Sequence, residues 1–213
     1  MVHLTGLYYD ASEIDDFIKV LQDAGIENIL ALRGDINPNV PAKDRFPYAT
    51  KLIEYIKETT GDTFCIAGGC YPENHPQTVS SVDEIRYAKA KVDAGAEVLL
   101  SQLFFNNQYF YDYVMHCRMA DINVPITPGV MPPINAKQIR RMVDLCGATL
   151  PDNTEAILRK FGDNKDAMLD SGMAFATSQI IDLLAHGCDG IHLYIMNNPR
   201  VAKRLCDSII NII

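Results

Sequence analysis

The chain has 213 residues, 48% of them hydrophobic and 22% charged, with a formal charge of −8. That length suits one large domain or two small ones, and the composition is that of an ordinary globular protein. The acidic balance argues against a nucleic-acid surface, which needs clustered Lys and Arg. No apolar run is long enough to span a membrane, and no signal peptide is legible, so a cytoplasmic protein is expected.

Met1 to Leu7 reads as a short strand. Ser12 opens a helix, with Asp15 as an approximate capping box and Ile14, Phe17, Ile18 and Leu21 on its apolar face. Asn28 to Leu32 is the next strand, and it runs out into Arg33-Gly34-Asp35. A Pro-containing loop leads to a helix near Tyr48 that buries Ala49, Leu52, Ile53 and Ile56. Thr63 to Ala67 is a strand followed by a long polar loop, Gly68 to Pro76. The helix from Val82 to Ala94 is expected to pack Val82, Ile85, Ala88 and Val92.

Glu97 to Ser101 is apolar on consecutive positions, which suits a parallel strand covered on both faces. Gln102 is placed where that strand ends, ahead of Phe104 and Phe105. A helix over 108–119 leads to a strand over 124–130 stopped by Pro128 and Gly129. Amphipathic helices follow around Ile139 to Cys146, over 151–161 and over 165–186, the last burying Met173, Ala176, Ile180 and Leu184. Gly190 to Tyr194 is the last strand, and Pro199 opens a final helix with Val201, Leu205 and Ile209 inside.

A repeated step organises this order. Asp23 to Leu30 resembles Asp93 to Leu100 position for position, and His186 to Leu193 is a looser third copy. Each reads as a helix ending at Gly, a short loop and an entering strand. About six such βα units mean an α/β fold with a parallel sheet, open or closed. In such folds ligands bind at the carboxyl ends of the strands. The interior strand ends carry polar or Gly/Pro chemistry at Arg33 to Asp35, Gly68 to His75, Gln102, Pro128-Gly129 and Tyr194 to Asn198. The cysteines (Cys65, Cys70, Cys117, Cys146, Cys188, Cys206) form no CxxC pair and read as reduced, mostly buried thiols. No metal site is suggested, and no GxGxxG points to a Rossmann fold.

Five motifs occur in register: ALRGD (31–35), YPENHP (71–76), KVDAGAEVLLSQLFF (91–105), PGVMP (128–132) and HLY-x-M-N (192–197). Together they resemble the methylenetetrahydrofolate reductase family, bacterial type, over essentially the whole chain. The resemblance implies a (β/α)8 TIM-barrel fold, here incomplete with about six βα units in one domain, 1–213. His3-Leu4-Thr5 resembles the start of the third family strand, so by this resemblance the chain is expected to lack the first two βα units, either as a fragment or as a natively short form. The family's acid glutamate and a flavin-contacting threonine lie on those units, and the chain alone is expected to be nearly inactive in the folate half-reaction.

By the same resemblance the cofactor is FAD, the hydride donor NADH or NADPH, and the substrate 5,10-methylenetetrahydrofolate. His3, Arg33, Gly34, Asp35, Tyr48, Ala49, Tyr71, His75, Glu84 and Lys91 match flavin-binding positions. Asp35, the position matching a catalytic carboxylate, meets both flavin and pterin; Gln102, Gln138 and Asn198 match substrate contacts. Four positions depart from the family: Glu84 stands for Asp, Tyr87 for Asn or His, Ala90 for an Arg found in some members, and Asn198 for a frequent Arg. A homo-oligomer without nucleic-acid or membrane partners is expected. Two alternatives stay open: a truncated module that holds flavin or folate without turnover, and a Schiff-base aldolase. The aldolase would need a strand Lys, which none of the strands carries.

Overall fold

The computed structural model describes residues 1–213. Its six parallel strands form one sheet in sequential order, β1 to β6. They are β1 (Val2–Thr5), β2 (Asn28–Leu32), β3 (Cys65–Cys70), β4 (Val98–Leu103), β5 (Ile126–Val130) and β6 (His192–Leu193). Strands joined through helices and neighbouring in chain order are the arrangement of a (β/α) barrel wound in one direction. The chain resolves into two compact units, each taken by itself below.

The first unit comprises 1–70, 85–100 and 117–126. Here β1 lies parallel to β2, with Val2 opposite Ile29 and Thr5 opposite Leu32. β2 lies parallel to β3, with Asn28 opposite Cys65 and Ala31 opposite Gly68. Successive side chains leave a strand on opposite faces. Ile29, Ala31 and Ile66 join Ile14 and Ile18 of α1 (Ala11–Asp23) and Leu52, Ile53 and Ile56 of α2 (Ala49–Thr60). Leu30, Ala67 and Leu100 form a second cluster. Both faces are therefore covered, as the unbroken apolar runs require.

The second unit comprises 71–84, 101–116 and 127–213. Its core gathers Leu103, Phe105 and Met131 with Ile139 of α5 (Ala136–Cys146), Leu158 of α6 (Asp152–Phe161) and Met168 of α7 (Lys165–Ala185). α4 (Asn107–Met119) starts here. Asn107 Nδ2 and the Tyr111 hydroxyl both donate to Asp182 Oδ2, at 2.6 and 2.7 Å. Gln179 Nε2 donates to the Phe104 carbonyl at 2.9 Å, so α7 holds the start of α4 by side-chain bonds. In α8 (Pro199–Ile209), Val201, Leu205 and Ile209 are buried as the spacing predicts.

The repeated step is a Schellman closure in all three copies. The N–H groups of Ile26, Ala96 and Cys188 donate to the carbonyls of Leu21, Lys91 and Leu183, and Gly25, Gly95 and Gly187 all have positive φ. A fourth copy ends α4, where Ile122 N–H donates to Cys117 O at 3.0 Å. Its left-handed residue is Asp121, φ 55°, a type whose short polar side chain tolerates that conformation. No Gly marks it, so the periodic Gly signal passes it by.

Several expectations need correcting. α1 is capped by Asp10, not Ser12 with Asp15: Asp10 Oδ1 accepts from Glu13 N–H, and Glu13 Oε2 accepts from Asp10 N–H. β3 extends through Cys70, past Gly68 and Gly69, and Gly68 lies opposite Ala31 of β2. β4 runs to Leu103, so Gln102 lies inside it and not beyond it. Pro128 and Gly129 lie within β5 and do not end it. Val82 is 77% exposed in α3 (Ser81–Asp93), and Glu84 is the buried residue of that first turn. In α7, Leu183 is fully buried and Leu184 only partly. Only Cys70 and Cys117 are fully buried thiols, and Cys206 is exposed.

Candidate functional site

In the first unit the loop after β2 carries Arg33, Gly34 and Asp35. Gly34 has φ 94°, and a Cβ there would lie 3.1 Å from Thr5 Cβ. The glycine lets the chain turn close over β1 in a left-handed conformation. Arg33 Nε donates to the Gly34 carbonyl at 3.2 Å. Asp35 is exposed, and its carboxylate takes part in no hydrogen bond or ion pair. A local Arg33–Asp35 pair, the ordinary structural role for such a carboxylate, is therefore not formed.

At the end of β3, which neighbours β2, Lys91 Nζ donates to the Gly69 carbonyl at 2.7 Å. A Cβ on Gly68 would lie 3.3 Å from Lys91 Cδ, so the bare backbone there is what admits the lysine stem. Tyr48, 64% exposed, is the N-cap residue of α2, and Ala49 is its first residue. His3 lies mid-strand in β1, exposed, opposite Leu30. The first unit thus brings Arg33, Gly34, Asp35 and Lys91 to the tips of adjacent strands, while His3 sits lower in the sheet.

In the second unit the loop after β3 packs Tyr71 against His75, ring centroids 4.7 Å apart and nearly perpendicular. Gln77 N–H donates to His75 Nδ1 at 3.1 Å, so Nε2 is the protonated nitrogen of the neutral ring. Glu84 is 2% exposed. Its Oε2 accepts from His75 N–H at 3.3 Å and from the Thr78 hydroxyl at 2.9 Å, while buried Oε1 has no hydrogen-bond partner.

Ser101, fully buried, accepts from Gly129 N–H at 2.8 Å through Oγ, and its carbonyl accepts from the Tyr194 hydroxyl at 3.1 Å. These ties fix the strand ends around Gln102. Gln102 Oε1 accepts from Leu103 N–H at 2.9 Å, which leaves the carboxamide N–H groups as its free donors. Gln138 stands in the first turn of α5, its own N–H held by Asn135 Oδ1 at 2.9 Å. Asn198 caps α8 by accepting from Val201 N–H, so its side-chain oxygen is already engaged. The preceding Met196 and Asn197 have φ of 48° and 57°. Successive left-handed residues of this kind cost on the order of 1–2 kcal/mol each.

Glu73 escaped the sequence reading. Its Oε2 accepts from Thr149 N–H at 2.8 Å, and its Oε1 is buried without a partner. Burial pushes the carboxyl above its ordinary range, with Thr149 pulling weakly the other way. A carboxyl whose folded pKa is raised contributes fully below its unfolded value, and that contribution is lost as pH rises through the folded value. Glu73→Gln is therefore expected to raise the urea midpoint at pH 7.5 and to give no gain at pH 4. A midpoint unchanged at both pH values would refute this. Only the Pro-Glu-Asn turn context hinted at this residue.

Comparison with known proteins decides the family. The family model described as methylenetetrahydrofolate reductase matches residues 1–210. The chain belongs to the methylenetetrahydrofolate reductase family. Methylenetetrahydrofolate reductase (NADH) 1 of Arabidopsis thaliana is 36% identical over 95% of this chain and 36% of its own length. A probable methylenetetrahydrofolate reductase (NADPH) of Caenorhabditis elegans is 32% identical over 98% of this chain and 32% of its own. The 5,10-methylenetetrahydrofolate reductase of Buchnera aphidicola is 28% identical over 96% of this chain and 68% of its own. The chain thus spans about a third of the length of the plant and animal reductases it matches.

Among solved structures, an uncharacterized protein from Clostridium thermocellum that binds two copies of 5-methyl-5,6,7,8-tetrahydrofolic acid aligns with a TM-score of 0.61. It is 15% identical, over 98% of this chain and 71% of that one, a likeness of fold. No helix is long and apolar enough to cross a membrane.

Proposed function

We propose that this chain is the flavin- and folate-binding part of a cytoplasmic methylenetetrahydrofolate reductase. The reaction is reduction of 5,10-methylenetetrahydrofolate to 5-methyltetrahydrofolate at the expense of NADH or NADPH. The family match over residues 1–210 carries this reading. The relatives are named for both donors, so either nicotinamide is admitted.

The donor set suits FAD. A part-buried ammonium at a strand tip, Lys91, complements a pyrophosphate as a point charge. Buried Glu84 keeps one carboxylate oxygen without a partner, as a hydroxyl-bearing group requires. Held by these residues, FAD would supply the hydride chemistry between nicotinamide and folate.

The protein's part is binding and orientation. Unpaired Asp35 accepts hydrogen bonds from the amino and ring N–H groups of a pterin, and as an anion it disfavours negative charge on a neighbouring ring system. The Gln102 carboxamide, with its oxygen engaged, donates to a ring nitrogen or carbonyl oxygen of the ligand. Arg33, Gly34, Tyr48, Ala49, Tyr71, His75 and His3 serve the flavin in this reading, and Gln138 and Asn198 the folate.

The test is direct. The purified 213-residue chain is titrated with FAD and with 5-methyltetrahydrofolate by calorimetry. NADH and NADPH are then each added anaerobically while flavin absorbance is followed. Binding of both ligands, with bleaching by one nicotinamide, is the expected result. A folded chain that binds neither ligand overturns the reading.

A further inference from the structure

We propose that Tyr8 is a positioning residue that holds the Asp35 carboxylate for its ligand; the proposal rests on the functional reading above. The Asp35 side chain makes no hydrogen bond and no ion pair of its own, so its place is set by its backbone alone. That backbone belongs to a connection from β2 to α2, residues 33–48, with no helix or strand. Unsupported loops of this kind sample many conformations, and each ordered residue costs about 1–2 kcal/mol of backbone entropy.

The β1–α1 turn supplies the support. Gly6 N–H donates to Leu32 O at 3.1 Å and Leu7 N–H to Arg33 O at 2.9 Å, continuing the β1–β2 pairing past the strand ends. At the far side, Lys43 N–H donates to Leu7 O at 2.9 Å. Lys43 Nζ donates to Asp10 Oδ2 at 3.0 Å and to Glu13 Oε2 at 2.6 Å. Between these ties stands Tyr8. Its hydroxyl donates to the Asp35 carbonyl at 3.2 Å and accepts from Asn37 N–H. One oxygen thereby satisfies the backbone on both sides of Ile36 and closes the turn that presents Asp35.

Both bonds lie in a solvent-exposed segment, where water would satisfy the same groups at little cost. Their contribution to global stability is therefore small, and what they restrict is the direction of the chain at Asp35. Restriction of that kind acts on ligand binding, because the ordering cost is met before the ligand arrives. Tyr8→Phe keeps the ring and removes both bonds.

The full chain is compared as wild type, Tyr8→Phe, Asp35→Asn and the double variant. Amide exchange is read over residues 34–43 without ligand, and affinity for 5-methyltetrahydrofolate is read by calorimetry with FAD present. In Tyr8→Phe the Asn37 amide is expected to exchange about tenfold faster and folate affinity to fall about tenfold, because the cost of ordering the loop is then met on binding. In the Asp35→Asn background Tyr8→Phe is expected to have no further effect on affinity, since it acts only through Asp35.

Wild-type exchange at Asn37 in Tyr8→Phe overturns the proposal. So does faster exchange with the same affinity loss in both backgrounds, which would make Tyr8 a structural tie only. A wild-type chain that binds no folate sinks the functional reading, and with it the claim that Asp35 is held for a ligand. The exchange data would then still report whether Tyr8 orders the loop.

Discussion

Gly172→Ala is expected to destabilise the chain by about 3 kcal/mol, opposite in sign to the usual outcome of that exchange in a helix. Within a helix, Ala is favoured over Gly by about 1 kcal/mol, because Gly loses more backbone freedom and packs nothing. Gly172 lies in α7, and a Cβ there would stand 2.3 Å from the Pro133 carbonyl oxygen and 2.6 Å from its carbon. These are backbone atoms between two buried prolines and the start of α5, so no rotamer change relieves the clash. Overpacking against such a wall costs about 1–3 kcal/mol and occasionally more, enough to outweigh the propensity gain.

The segment pressed against α7 leads from β5 to the α5 turn carrying Gln138, so the variant is also expected to disturb that residue's environment. Gly190→Ala is the control: a Cβ there would meet nothing within 4 Å and its φ is not positive, so its midpoint is expected to stay near wild type. Urea denaturation of both variants decides the matter. A Gly172→Ala chain as stable as wild type would show that α7 can slide away from Pro133 at low cost.

What was legible in the residues alone was whatever rests on local rules. The six βα steps, the left-handed glycines at Gly25, Gly95 and Gly187 and the buried stripe of α8 all follow from period and turn chemistry. The five in-register motifs were enough to point to the family that the match over residues 1–210 then established. Apart from the α1 cap, where Asp10 and Glu13 lie three residues apart, the misreadings share one cause, which is pairing or burial decided by distant residues. Pro128 and Gly129 look like terminators locally, yet Gly129 N–H is taken by Ser101 Oγ, far away in the chain. Val82 and Glu84 exchange burial against polarity because the loop carrying His75 and Thr78 folds back on Glu84 and offers it donors. Tyr8 and Glu73 were invisible for the same reason: each acquires meaning only from a partner on another segment, Asp35 and Asn37 for one, Thr149 for the other.

Glu84→Ala is expected to loosen the loop of residues 71–80 and to cost about 2–3 kcal/mol of stability, an effect that begins with the donors it strands. His75 N–H and the Thr78 hydroxyl both point at Glu84 Oε2, and removal of the carboxylate takes that acceptor from them in a part-buried setting. A group stranded in this way costs about 1–3 kcal/mol, and the vacated space adds to it. The carboxylate also sits in the first turn of α3, where an anion complements the exposed N–H groups of the helix end.

Three variants separate these contributions. Glu84→Gln retains one acceptor oxygen and the volume but loses the charge, and is expected to cost less than Ala. Glu84→Asp keeps the charge and draws the acceptor back by one methylene, away from His75 and Thr78, and is expected to fall between. Amide exchange over 71–80 should quicken in the order Gln, Asp, Ala. On the functional reading, the Ala variant should bind FAD at least about tenfold more weakly, because Tyr71 and His75 are then presented by a disordered loop. Unchanged exchange in Glu84→Ala would mean that the loop is held by other contacts, and that the buried carboxylate serves the cofactor alone.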